Sequence, residues 1–256
     1  MEIRQVGSRG YLAIFEFQEY GVETTNIYVI DGQRHWFVID TFLGPDAILR
    51  VKARLKLDRK PIIVANTHAH FDHFWGNGAF PSSIIVGHRL CRQAIGKREQ
   101  LVQLERNAHL QQGKVEIIAP NVTFEKRLVF AEDGVVFFHS PGHTPDSISC
   151  LDQQDRVLFV GDNIGFPLPS IYPQVPVQAF IDTLKTYRSL DASTIVSSHY
   201  NEIERGVIEA HIEYLEKLLR GDAGEYDQGE YRLFHEWNKQ MLARQGAPPP
   251  GERVSG

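Results

Sequence analysis

The run Thr67-His-Ala-His-Phe-Asp-His73 sets three imidazoles and a carboxylate at H-x-H-x-D-H offsets. Imidazole nitrogen and carboxylate oxygen are donors suited to borderline divalent ions. Alternate side chains of an extended segment project to one side, so His68 and His70 can take one ion together. Asp72 and His73 follow after a turn and can face a second ion a few Å away. The competing reading is a polar loop with fortuitous histidines. Just after a buried strand, however, four such groups need partners to offset their burial.

Three more metal-compatible side chains lie downstream, each at the end of an expected strand. His143 stands in Ser140-Pro-Gly-His-Thr-Pro145, Asp162 in Phe159-Val-Gly-Asp162 and His199 in Val196-Ser-Ser-His199. Gly161 lets the backbone at Asp162 approach something closely. A lone histidine at a strand end is usually structural. Three such ends beside a preformed motif point to ligation instead.

The elements that would carry these groups follow from periodicity and turn residues. β-rich runs at Tyr11–Phe17, Asn26–Ile30 and Trp36–Ile39 are separated by turn formers. Pro45-Asp46 opens a helix over Asp46–Leu57, with Ile48, Val51 and Leu55 at helical spacing. Ile62–Ala65 is continuously apolar, as a strand buried on both faces would be, and it delivers the histidine run at its C-terminal end. Ile84–Val86 predicts another strand, and the polar stretch from His88 to Gln112 predicts one long solvated helix. Strands resume at Val122–Phe124, Leu128–Phe130, Val135–His139, Ile148–Leu151 and Val157–Val160. Helix Val177–Leu190, strand Thr194–Ser198 and amphipathic helix Val207–Leu219 follow. Two β-rich halves with helices outside predict an α/β fold, a four-layer αββα sandwich of two mixed sheets. The expected division is a main domain over 1–220 and a C-terminal helical extension over 221–256, whose tail beyond Gln245 is Pro-rich and expected to be disordered.

Bulk composition removes several function classes. The 256 residues are 42% hydrophobic and carry a net charge of −5, so nucleic acid is not an expected partner. Two cysteines, Cys91 and Cys150, without C-x-x-C spacing exclude a disulfide framework or a Cys-rich zinc site. The N-terminus lacks the basic-then-apolar pattern of a signal peptide, and no run is long enough to span a membrane. The expectation is a cytoplasmic protein acting on a small-molecule substrate, with homo-oligomerisation left open.

In combination and in this order, Thr-His-Ala-His-Phe-Asp-His, Pro-Gly-His-Thr-Pro, Gly-Asp-Asn and Ser-Ser-His resemble the metallo-β-lactamase-fold hydrolase superfamily, over roughly residues 10 to 200. The resemblance is glyoxalase II-like and lactonase-like in its ligand set. It implies that His68, His70 and His143 hold a first metal, that Asp72, His73 and His199 hold a second, and that Asp162 bridges both. It also matches Asp40, in Val38-Ile-Asp-Thr41, to a carboxylate that orders the ligands from behind. Two divalent ions are implied, with zinc the default and iron or manganese allowed by the donor set. Such a pair can activate a shared water as hydroxide, and Asp72 would orient that water or take its proton.

Departures from subfamily patterns narrow the expectation. The commonest zinc β-lactamases place a cysteine where Asp162 stands, so antibiotic hydrolysis is not expected. Flavodiiron proteins carry Glu at the position of His70 and append a flavodoxin domain. Glyoxalase II places a basic residue soon after the bridging aspartate, where this chain reads Asn163-Ile-Gly-Phe-Pro-Leu-Pro. The leading expectation is hydrolysis of a small ester, thioester or lactone. The alternatives are an iron-dependent oxidoreductase like the persulfide dioxygenases, and a phosphodiesterase. The stiff stretch Phe166–Pro176 would wall the substrate pocket, with Tyr172 donating to a carbonyl oxygen as tyrosines do in lactonase members. Phe166 and Trp75 are further pocket candidates, against the simpler reading that Trp75 packs beneath the metal loop.

Overall fold

The computed structural model of the protein describes residues 1–19 and 22–245. Its first sheet is built from β1 (Glu2–Val6), β2 (Gly10–Glu19), β3 (Val22–Asp31), β4 (Trp36–Ile39), β5 (Ile62–Ala65), β6 (Ile84–His88) and β7 (Val122–Phe124), side by side in chain order. The pairs up to β3–β4 are antiparallel and those from β4 to β7 parallel. The second sheet has the order β12-β11-β10-β9-β8, from β8 (Arg127–Phe130), β9 (Val135–His139), β10 (Ile148–Asp152), β11 (Val157–Phe159) and β12 (Thr194–Val196). Only β11–β12 is parallel there. Both sheets are mixed, as expected.

Strand alternation sorts side chains into three cores, and three cores require four layers. Leu12, Tyr28, Phe37, Ile39, Ile63 and Ala65 of the first sheet meet Val135, Phe137, Cys150, Phe159 and Val196 of the second in a central core. The intervening positions Ala13, Val29, Val38 and Val64 turn outward, onto Ala47, Ile48 and Val51 of α1 (Pro45–Leu55). Leu158 and Ile195 on the far face of the second sheet meet α5 (Val177–Ser189) and α6 (Arg205–Arg220). Each large apolar side chain so buried contributes roughly 1.5–3 kcal/mol, against a few tenths for helix propensity. Packing, not propensity, holds the outer helices.

The helix expected from His88 to Gln112 is instead broken. It comprises α3 (Arg89–Ile95), α4 (Glu99–Arg106) and a short 3-10 turn at Ala108–Leu110. The break falls at Gly96, and α4 buries no residue, so nothing offsets the helix cost of glycine, about 1 kcal/mol. Strand β1 escaped the pattern reading because its side chains are mostly exposed, leaving no alternation to detect. Between β5 and β6 a single helical turn, α2 (Phe71–Phe74), carries half of the histidine run.

The expected boundary at 220 coincides with the end of α6, where Gly221 closes the helix at φ +74°. Beyond it, α7 (Arg232–Ala243) and the turns before it do not stand apart: Met241, Tyr226, Tyr231 and Leu242 pack into the core under α5 and α6. The expected disordered tail, 246–256, lies outside the described residues. Among the described residues no helix is long and apolar enough to cross a membrane.

Candidate metal centre and substrate cavity

The candidate groups come from strand ends at one edge of the sandwich. Asp40 follows β4, Thr67–His73 follows β5, His143 lies in the loop after β9, Asp162 follows β11 and His199 follows β12. Both sheets send strands to this edge, and backbone bonds tie them there. Ile148 N–H donates to the Thr67 carbonyl at 2.9 Å, and Asn26 N–H to the Ser198 carbonyl at 2.6 Å. Gly161, at φ +58°, passes so close to Thr67 that a Cβ would lie 3.2 Å from the threonine's Cβ. The close approach expected at Gly161 is therefore to the start of the histidine run itself.

Asp162 occupies the centre. Its Oδ2 lies 3.7, 3.4, 3.6 and 3.3 Å from Nε2 of His68, His73, His143 and His199. Asp72 Oδ2 sits 3.3 Å from His73 Nε2 and 3.7 Å from His199 Nε2. His70 Nδ1 faces His143 Nε2 at 3.1 Å. Donor atoms of His68, His70, His143 and Asp162 cluster within 4.8 Å of one another, and those of Asp72, His73 and His199 do likewise. All seven side chains from the sequence reading are thus brought together.

The donor set fits divalent ions. Nε2 of His68 and His73 and Oδ1 of Asp162 are buried without a hydrogen-bond partner, a costly arrangement unless a ligand completes it. Burial holds the His68 imidazole well below its ordinary pKa and takes His143 down to about 3, leaving lone pairs free to bind. Burial pulls His199 the same way, but Asp162 and Asp72 outweigh it and lift that ring to about 9. Burial would raise the Asp162 carboxyl, but His73, His199 and His68 hold it well below the usual range. The carboxylates thus call for positive charge, which a cation supplies while leaving the rings neutral.

The far nitrogens of three of the rings are anchored, while His143 Nδ1 is buried without a partner. His73 Nδ1 donates to Asp40 Oδ2 at 2.8 Å, His199 Nδ1 to the Thr24 carbonyl at 2.9 Å, and His68 Nδ1 lies 3.0 Å from Thr67 Oγ1. Each anchor aims Nε2 inward. Asp40, fully buried, also accepts from Thr67 N–H at 2.7 Å and Thr67 Oγ1 at 2.8 Å. It therefore stands behind His73 and Thr67, on the side away from the cluster of Nε2 atoms.

Several supporting groups were not found from sequence. Asn163 Oδ1 accepts from His143 N–H at 2.8 Å, while its Nδ2 donates to the Ser140 carbonyl and to Tyr187 Oη. Asn77 ties together Thr41, Asn66 and the Ile118 carbonyl beneath the run. Asn163 adjoins Asp162 in the Gly-Asp-Asn block, so adjacency was a usable signal. Asn77 had none.

A cavity of about 350 Å³ opens over Asp72, His143, Asp162 and His199. Its walls are mixed, with Phe17, Ile164, Phe166, Leu168 and Phe234 facing the polar groups, and among the described residues no lysine or arginine lines it. Phe17, Phe234 and Gln103 arrive from segments that sequence reading did not connect with the site. Tyr172 and Phe166 line the cavity as expected, the Tyr172 ring 4.9 Å from that of His143. Burial, with Asp162 and Asp72, raises the Tyr172 pKa, so its O–H stays a donor at neutral pH. Trp75 is not the pocket residue it was offered as, and the simpler reading, packing beneath the loop, holds. It is fully buried, 4.8 Å from the Phe71 ring in the core under α1, and does not reach the cavity. It follows α2 and opens the 3-10 turn Trp75–Ala79, and its large ring is buried although its indole N–H finds no partner.

Residues 20–199 match the family model described as Metallo-beta-lactamase superfamily. An N-acyl homoserine lactonase from a Bacillus species is 26% identical over 133 residues, covering 50% of this chain and 46% of that protein. An acyl-coenzyme A thioesterase from Homo sapiens is 24% identical over 176 residues, covering 58% of this chain and 62% of that protein. The matches span less than two thirds of these relatives' own lengths. Among solved structures, a metallo-beta-lactamase from Pontibacter korlensis aligns with a TM-score of 0.64 over 84% of this chain and 98% of that one. At 18% identity that likeness concerns the fold alone.

Proposed function

The chain belongs to the metallo-beta-lactamase superfamily, and from that premise we propose that it hydrolyses a small ester, thioester or lactone with an apolar acyl portion, using two divalent ions. In this reading His68, His70 and His143 would hold one ion and Asp72, His73 and His199 the other, with Asp162 as a ligand to both. Zinc is the ion this donor set favours, with iron or manganese as substitutes. When bound, such ions supply Lewis acidity, which lowers the pKa of water and polarises the substrate carbonyl.

The chain's own groups do the rest. Asp72 faces the cavity and takes the proton of the attacking water as its oxygen bonds to the acyl carbon. The bond from that carbon to the leaving oxygen or sulfur then breaks, and the leaving group takes up the proton that Asp72 received. Tyr172 donates to the carbonyl oxygen as negative charge builds there. Phe17, Phe166, Leu168 and Phe234 cover the acyl chain and keep bulk water from the reacting atoms.

The observation that carries the reading is Asp162 Oδ2 within 3.3–3.7 Å of four imidazoles, at a cavity that no lysine or arginine lines among the described residues. A phosphodiester would call for cationic walls. The names of the two sequence relatives, a lactonase and a thioesterase of acyl groups, support the same class. The test is a panel of acyl ester, acyl thioester, acyl lactone and bis-nitrophenyl phosphate, assayed with metal-loaded and chelator-stripped protein. The reading requires turnover of at least one acyl substrate, abolished by stripping. Turnover of the phosphodiester alone contradicts it.

A further inference from the structure

Tyr172 and Phe166 belong to an irregular segment, residues 163–176, between β11 and α5. Pro167, Pro169, Pro173 and Pro176 remove N–H donors from it, so backbone bonds such as Val175 N–H to the Tyr172 carbonyl at 3.3 Å fix only part of its shape. Phe166 N–H donates to Tyr200 Oη at 3.3 Å, and side chains of α7 and of Gln245 just beyond it supply further bonds. Ile171 N–H donates to Asn238 Oδ1 at 3.1 Å, and Asn238 Nδ2 donates to the Pro169 carbonyl at 2.8 Å and to Tyr214 Oη at 3.0 Å. Trp237 Nε1 donates to the Ile171 carbonyl at 3.3 Å, and Gln245 Nε2 to the Val175 carbonyl at 2.6 Å. Ile171 is thus gripped at both its N–H and its C=O, immediately before Tyr172. The Asn238 side chain is 1% exposed and uses both its oxygen and its nitrogen, one end on the loop and the other also on α6.

This clamp leads to the metal site in one further step. The Tyr172 ring lies 4.9 Å from His143 and 5.9 Å from His70, and 6.1 Å from Trp237 on its other side. Phe234, one turn before Asn238, lines the cavity itself. Helix α7 lies beyond the residues matched by the family model, which end at 199. We infer that Asn238 is a positioning residue, which fixes Ile171 and thereby holds Tyr172 over the cavity, so that α7 is a working part of the substrate site. The inference rests on the proposed function only for the role of the Tyr172 hydroxyl.

The experiment uses the full metal-loaded chain and four variants: Asn238→Ala, Asn238→Asp, Tyr172→Phe and the Asn238→Ala/Tyr172→Phe double. Asn238→Asp keeps an acceptor for Ile171 N–H, so it retains more of the clamp and serves if the alanine variant folds poorly. On whichever acyl substrate is turned over, Asn238→Ala should lower kcat/KM about tenfold with metal content unchanged, but less than about twofold in the Tyr172→Phe background, since residues acting through one another are non-additive. Asn238→Asp should fall between wild type and alanine. Independently of turnover, amide exchange at Ile171 and its neighbours should accelerate at least about tenfold in Asn238→Ala, while β5 and α1 keep their protection. Additive losses, or unchanged exchange across 163–176, would overturn the assignment. Absence of all acyl turnover would sink the proposed function alone, and exchange would then decide whether Asn238 orders the loop.

Discussion

The Asp40 carboxylate grips His73 from behind, Oδ2 to Nδ1 at 2.8 Å, with both side chains fully buried. Asp40 leaves β4 at φ +64°, a left-handed conformation that aspartate tolerates better than most residues. From there it reaches the strand end of β5 through Thr67 and approaches Ser198 Oγ at 3.5 Å, after β12. One carboxylate thus sets the tautomer of a proposed ligand and joins strand ends of both sheets.

Asp40→Asn tests that relationship. The new amide would present N–H to His73 Nδ1, forcing the proton onto Nε2, where the ion is proposed to bind. Metal affinity should fall about 10- to 100-fold, as loss of such supporting groups commonly costs. Competition with a chromophoric chelator measures it, and unchanged affinity would show that the tautomer is set otherwise.

Asp72 is assigned two duties, ligation and proton transfer. Asp72→Ala should therefore reduce turnover by at least about 10²-fold, the lower end of general base effects. Metal analysis alongside the kinetics separates the duties. Full turnover at unchanged metal stoichiometry would remove Asp72 from the mechanism.

Phe166 borders the metal cavity and also a second cavity of about 500 Å³, lined by Pro167, Val207, His211 and Tyr231. Its ring, packed 4.6 Å from Tyr200, forms the wall the two share. Phe166→Ala should join them and move preference toward longer acyl chains. The gain is bounded at about fourfold in kcat/KM per added methylene, from about 0.8 kcal/mol per buried CH₂. Relative rates along a homologous ester series read this directly, and an unchanged ratio would mean the chain leaves by another route.

The end of the sandwich opposite the site is stapled by carboxylates. Asp155 accepts from Ser8 N–H and Oγ, both at 2.6 Å, and from Arg9 N–H at 2.9 Å; Asp133 accepts from Arg34 N–H at 2.6 Å and pairs with His35 Nδ1 at 2.8 Å. Burial works to raise both carboxyls, but Ser8 and Arg9 hold Asp155 below the ordinary range, and His35 and Arg34 do the same for Asp133. A depressed carboxyl pKa contributes stability above its unfolded value, about 3.9, and loses it as pH falls through the lower folded value. Asp155→Asn should therefore lower Tm most at neutral pH, with the gap to wild type closing in acid. Thermal melts from pH 7 to 3 check this, and a gap that widens in acid would reverse the sign.

The metal-loop residues were legible because their types are costly to bury without a purpose, and the strand-end candidates because turn residues marked each strand's end. The layered fold was legible from two β-rich halves flanked by helices, but not which face each residue of β4 takes: Trp36 and Val38 face out and Phe37 and Ile39 in, though all four are apolar. Illegible were contributions from segments distant in sequence, such as Phe17, Gln103, Phe234 and Asn238. Their side chains are ordinary, and only the fold gives them a common target. Trp75 left two readings open because adjacency to a motif does not fix direction; just past α2 it packs into the core. The break at Gly96 was visible as a glycine but could be weighed only once α4 was known to bury nothing.

Metal content paired with acyl hydrolysis tests the central claim most directly. Protein purified without added metal, analysed by mass spectrometry and assayed on the ester, thioester and lactone panel, should carry about two divalent ions per chain and lose turnover on chelation. A single iron per chain with no hydrolysis of any panel member would contradict it.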